Sequence, residues 1–220
     1  MKPAPPTPIA EKKEELGSSK TWDPAWDAIV EKALPPEMLS NRAARAVHIY
    51  CPRFAEETTA DKRAFWAYTF QALAGAEAGL NPTSDVHHLE AAVNTIDPVT
   101  RRPTRQEGLL QLKYEDARRY GCNFSWQHDR LLPVKDPART ILNPANNLEC
   151  GVRIMEDQII THGRPLVTPV SYWATLHPGT LGYRVFHKQM ANVPRACGVG
   201  IAKPRRTLAE ARRPASHPAT

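Results

Sequence analysis

The stretch Thr59–Gly79, TADKRAFWAYTFQALAGAEAG, constrains the fold more than any other part of the chain. It holds no proline, Thr58 or Thr59 is available to cap its start, and Gly79 offers a stop, so it reads as one long helix. At about 100° per residue Trp66, Phe70 and Leu73 form one apolar stripe, and Glu77 falls within roughly 40° of it. The acid therefore shares the apolar stripe instead of the solvent face, where an ionised carboxylate is costly. Two effects there favour the protonated carboxyl. Desolvation opposes the anion, and the negative end of the helix dipole lies close by. A carboxyl that keeps its proton near neutral pH is what a general acid requires. The competing expectation is that Glu77 swings past Gly79 into solvent or pairs with an arginine.

The remaining segments predict a mainly helical protein. TWDPAWDAIVEKAL starts a first helix, with Asp23 as N-cap, Pro24 in the first helical position, and Trp26, Val30 and Ala33 on one face. PPEMLSNRAARAVHIYC reads as a second helix stopped by Pro52. Strand signal is confined to SDVHHLEAAVNTIDPVTRRPT, a small β or irregular segment near residues 84–105. Trp66, Phe70 and Trp126 are expected in the core. With 220 residues the chain accommodates one domain over 21–200, its motifs concentrated in 58–180, between disordered tails at 1–20 and 201–220.

Charge and cysteine content narrow the setting. The formal charge is +6, and residues 203–220 carry five Lys or Arg against one Glu, so most of the excess is in the C-terminal tail. Such a tail attracts polyanions, but no interleaved aromatics or recognition motif accompany it, so no specific nucleic-acid partner is expected. No run of about 18 apolar residues is present to span a membrane, and the first twenty residues lack the apolar core of a secretory signal. Cys51, Cys122, Cys150 and Cys197 show no CxxC pair and no zinc-finger spacing. In an oxidising compartment a nested pairing, Cys51 with Cys197 around Cys122 with Cys150, is the preferred connectivity, and free buried thiols are the alternative. His87 and His88 beside Glu90 are too few and too divergent for a metal site, so neither metal nor cofactor is expected.

Four segments in order carry a family resemblance. AGAEAGLNP at 74–82 resembles the helix end, E-S-x-x-N-P, that holds the single catalytic Glu of soluble-lytic-transglycosylase-type lytic transglycosylases. QEGLLQLKYEDARRYG at 106–121 is similar to that family's G-L-M-Q-L segment and following helix. DPARTILNPANNLECGVRIMEDQI at 136–159 is similar to its D-P-x-x-N-I-x-x-G helix, matched by Asn147, Leu148 and Gly151, and SYWATL at 171–176 takes the place of A-Y-N-x-G with Tyr172 in register. The chain departs at Ala78, where the family has Ser, at Leu110 in place of Met, and at Trp173 in place of Asn.

The resemblance implies a lysozyme-like α+β fold and a peptidoglycan lytic transglycosylase. Glu77 would protonate the oxygen between N-acetylmuramic acid and N-acetylglucosamine, then accept the proton of the muramyl 6-hydroxyl as a 1,6-anhydro ring closes. Substrate contacts are expected at Gly108, where backbone would approach a sugar ring, at the amide of Gln111, at Leu110 and Ala78, and at Tyr172, whose hydroxyl would reach Glu77 or the acetamido group. Asn147 is expected to brace backbone more than to touch substrate. A goose-type muramidase is the alternative enzyme, with Asp85, Glu90 or Asp97 as second carboxylate. A non-catalytic wall-binding protein is the alternative outside enzymes, and Ala78 and Trp173 favour it. Peptidoglycan strands are the expected partner, with other envelope or secretion-machine proteins as further ones, for a monomer in the periplasm or secreted.

Overall fold

A computed structural model describes residues 21–86, 95–191, 193 and 197, with 85 and 86 as backbone alone. The expected tails and the 87–94 segment with His87, His88 and Glu90 lie outside the described residues. The protein is mainly helical. Helix α1 (Pro24–Ala33) starts where Asp23 accepts a hydrogen bond from the Ala25 N–H and Pro24 occupies the first helical position. The single second helix expected from the sequence is divided. A 3₁₀ turn (Pro36–Leu39) is followed by α2 (Asn41–Val47), because Ser40 is extended and its hydroxyl caps the Arg42 N–H. A serine in that role supplies a new helix start where apolar periodicity alone sees continuity.

Helix α3 (Thr59–Ala78) is the centre of the molecule. Thr58, not Thr59, is its N-cap and accepts from the Asp61 N–H. Gly79 closes it in the left-handed conformation, with φ of 58°. Phe65, Trp66, Phe70 and Leu73 are wholly buried, and the Trp66 indole N–H donates to the Met38 carbonyl. Phe54, from a short 3₁₀ turn (Phe54–Glu56), meets Phe65 and Trp66 edge to face. Beyond α3 the chain forms a two-residue antiparallel pair, β1 (Asp85–Val86) with β2 (Gln106–Glu107), in which Asp85 faces Glu107. Short helices α4 (Glu115–Tyr120) and α5 (Trp126–Asp129) lead to α6 (Pro144–Glu156), which starts at the Asn143 cap and runs into a π turn (Asp157–Thr161). A 3₁₀ turn (Ala174–Leu176) precedes α7 (Leu181–Met190), which packs on α3, where the Tyr68 hydroxyl donates to the Gln189 carbonyl.

Two disulfides form in the nested arrangement, Cys51–Cys197 and Cys122–Cys150. The first closes 146 residues and the second 28, so each removes conformations from the unfolded chain, the longer loop more. No described helix is long and apolar enough to cross a membrane. Both features are compatible with a periplasmic or secreted setting.

Candidate active site

Glu77 lies in the last turn of α3, one and two turns beyond Leu73 and Phe70. The residue is half-buried, and its Oε1 is sealed from solvent. The apolar stripe therefore reaches the surface at this acid. Ala78, also half-buried, ends the helix, and a tight descent follows in which Leu80, itself left-handed at φ of 62°, is buried. Asn81 and Ser84 continue the chain by backbone bonds to Ala78 and Asn81, and the Ser84 carbonyl accepts from the Gly108 N–H at 2.9 Å. By this route the end of the Glu77 helix is tied to the Gly-Leu-Leu-Gln segment.

That segment is a four-residue loop closed by paired backbone bonds between Glu107 and Leu112, at 2.8 and 2.9 Å. Gly108 has φ of +81°, and Gln111, a non-glycine, has φ of 51°. Strain of this kind persists only where surroundings over-determine the backbone. Here they do. Asn147 on α6 is wholly buried: its Oδ1 accepts from the Leu110 N–H at 2.9 Å, and its Nδ2 donates to the carbonyls of Ile141 and Glu107. The Trp173 indole donates to the Leu110 carbonyl at 2.8 Å, so this side chain anchors the loop. Leu110 and Phe70 converge on Gly151 of α6, where a Cβ would stand 2.1 Å from Leu110 Cδ1 and 3.3 Å from the Phe70 ring. The loop and the Glu77 helix thus share one wall.

Several expectations are refined by these contacts. The space beside Gly108 is filled by Asn147, whose Nδ2 would be 2.3 Å from an added Cβ, so a protein contact by itself already requires a glycine there. Leu110 is fully buried in the core. Gln111 is buried and its Nε2 donates to the Gly108 carbonyl at 2.7 Å, while its Oε1 has no hydrogen-bond partner among the described residues.

Tyr172 is half-buried and its hydroxyl donates to Asp116 Oδ2 on α4 at 2.6 Å, a partner not foreseen for it. Gln158, in the π turn, accepts from the Tyr172 N–H and the Ser171 hydroxyl and fixes this stretch. Asp116 is buried, takes a second bond from the Lys113 N–H, and leaves Oδ1 without a partner among the described residues. Burial pushes its carboxyl up to about 6, against the lowering effect of the Tyr172 and Lys113 bonds. Burial also pushes the Tyr172 phenol upward, and the charge of Asp116 adds to it.

The stability consequence has a definite sign. Folded Asp116 keeps its proton up to about pH 6, whereas the unfolded chain releases it near 3.8. Between those values the folded state binds more protons, so stability falls as pH rises. The full effect is about 3 kcal/mol, reached above the folded value. Urea unfolding from about pH 4 to about pH 7 is therefore expected to show wild-type stability falling relative to Asp116→Asn, and parallel curves would refute the assignment.

Of the expected second carboxylates, Asp97 is buried and committed to structure. Its Oδ1 accepts from the N–H groups of Val99 and Thr100, and its Oδ2 from that of Glu115. It caps a turn and links it to α4 instead of supplying a free base. Asp85 lies opposite Glu107 in the strand pair, and Glu90 is outside the described residues. Among the described residues no cluster of three His, Cys, Asp or Glu is arranged for a metal.

Trp126, expected in the core, is only half-buried and forms a cavity wall, with the Arg102 guanidinium over its ring. Sequence reasoning also missed Asp116 and a buried ion pair between Glu107 and Arg139. A nearby Gly marks the contact of Leu110, but no signal in the sequence marks these charges as inward.

No protein-family model matches the chain, and no match was found among curated proteins. Solved structures do match. Wild-type Bd0314 DslA of Bdellovibrio aligns with a TM-score of 0.58 at 20% identity, covering 79% of this chain and 91% of that one. Two forms of the same protein, each with a single Glu-to-Gln substitution, align with TM-scores of 0.59 and 0.57, also at 20% identity. The second of them covers 77% of this chain and 89% of its own. At that identity the likeness is one of fold.

Proposed function

We propose that the chain is a peptidoglycan lytic transglycosylase in which Glu77 is both acid and base. The observation that carries this reading is the placement of Glu77. A single carboxyl ends the apolar stripe of the central helix, one oxygen sealed from water, and is tied by a short backbone route to a strained, heavily braced loop. An acid at that place stands next to the loop by way of a few residues, and braced loops hold substrates. The four ordered sequence segments supply the substrate class.

In this reading Glu77 gives its proton to the glycosidic oxygen as the bond from the muramyl C1 breaks. The electron pair leaves with the N-acetylglucosamine oxygen, and the acetamido group of the muramyl residue shields the cationic carbon. Glu77, now ionised, takes the proton of the muramyl 6-hydroxyl while that oxygen bonds to C1, which restores the acid. The nucleophile is already attached to the substrate, so proximity replaces a second carboxylate and a bound water. Gln111 Oε1, the acceptor that the loop leaves unused, suits a substrate N–H, and Tyr172, whose proton is given to Asp116, offers its oxygen as an acceptor.

The two disulfides fit work in the periplasm or outside the cell. Purified sacculi incubated with the protein are expected to release soluble muropeptides. A protein that sediments with sacculi and releases none is a wall binder, and the proposal then fails.

A further inference from the structure

A cavity of about 170 Å³ lies between the 97–105 turn and the α4–α6 connection, walled by Asp97, Arg102, Pro103, Tyr114, Trp126 and Arg139 among others. At about 30 Å³ per water it has room for a group of a few heavy atoms. Three guanidinium groups line it, on Arg102, Arg105 and Arg139, against two carboxylates, on Asp97 and Glu107. Both carboxylates are engaged within the protein. Asp97 holds three backbone N–H groups, and Glu107 is paired with Arg139. The Tyr114 hydroxyl is taken up between Arg139 and Asp129.

What remains is donor capacity. Arg139 is 3% exposed, and while its terminal nitrogens reach Glu107, Val134 and Tyr114, its Nε is buried with no hydrogen-bond partner among the described residues. Arg102 lies over the Trp126 ring, its guanidinium carbon 5.1 Å from the centroid, which holds the planar fork in one orientation. Pro103, Val134 and the ring faces supply apolar walls. An unspent buried donor, an oriented guanidinium and apolar sides match an anion on a short hydrocarbon stem.

We infer that this cavity is a binding site for a carboxylate carried on a short apolar stem, held by Arg102 and Arg139 with its stem against Trp126. Such a group occurs both on peptides attached to wall glycans and on free small acids. The inference is independent of turnover at Glu77.

The test titrates ¹⁵N-labelled full-length protein with butyrate, with neutral butyramide, and with D-alanyl-D-alanine, following the Trp126 indole N–H. Butyrate is expected to shift that resonance with saturation in the millimolar range, and butyramide is not. Arg102→Gln is expected to weaken butyrate binding by about tenfold or more, without changing the unfolding midpoint, because Arg102 is exposed. Tighter binding of the dipeptide than of butyrate would assign the site to wall peptides, and equal or weaker binding to free acids. Equal response to butyramide, no response to butyrate, or an Arg102→Gln affinity within about twofold of wild type overturns the inference.

Discussion

Glu77→Gln is expected to lower muropeptide release by about a thousandfold or more while leaving sedimentation with sacculi intact. General acid–base assistance from a positioned side chain is worth about 10²–10⁴ in rate, and here one group serves both proton transfers. Gln has nearly the shape of Glu and retains hydrogen-bonding capacity, but it has no proton to give and no charge with which to recover one. Because the side chain sits in the last helical turn, beside a glycine cap instead of inside the core, the variant is expected to unfold at nearly the wild-type urea concentration. Release by Glu77→Gln above about a tenth of wild type would place the acid elsewhere.

The second large effect concerns the loop tied to the end of this helix. Asn147→Ala removes an amide that satisfies the Leu110 N–H and the Ile141 carbonyl in a fully buried setting, and a loss of about 4 kcal/mol is expected. Gly108→Ala is expected to be costly as well, since φ of +81° disfavours a side chain and the new Cβ would lie 2.3 Å from Asn147 Nδ2. The two positions oppose each other, so their effects should not add. Once Asn147 is truncated the space beside residue 108 opens, and the double variant is expected to be more stable than the sum of the single losses by about 1–2 kcal/mol. Urea unfolding of the four proteins measures that coupling. Strict additivity would mean that Gly108 is not there to admit Asn147. A Gly108→Ala protein of wild-type stability that had lost glycan binding would return the glycine to a direct sugar contact.

Much of the frame was legible because local chemistry dictated it. Asp23 before Pro24, Thr58 before an unbroken apolar period, and Gly79 after it each mark a helix end by satisfying or releasing particular backbone groups, and these ends stand where those residues put them. The nested cysteine pairing was legible in the same way, from two cysteines flanking the two within. The break at Ser40 was not, since a serine inside an apolar period is read equally well as a solvent-facing helical residue or as a cap.

The site was legible only in part. Glu77 stood out because an acid on an apolar stripe needs an explanation. Asp116 did not, although it is the more deeply buried of the two. It follows Glu115 in a charged helical turn, and nothing local shows which of the two faces Tyr172. The loop's dependence on Asn147 and Trp173 involves partners 37 and 63 residues away, at distances in sequence where side-chain pairing follows from packing and not from pattern. Asp97 shows the reverse case. Its place between the Glu77 helix and the Gly-Leu-Leu-Gln segment makes it one of three candidate second carboxylates for a muramidase, while its oxygens serve turn N–H groups, a use that Asp shares with every Asx turn.

The most direct measurement is the mass of the glycan ends produced when purified sacculi are digested in ¹⁸O-labelled water. The account predicts muramyl ends lighter by one water, with no ¹⁸O, because the 6-hydroxyl of the sugar and not solvent closes on C1. Reducing ends carrying ¹⁸O would contradict it.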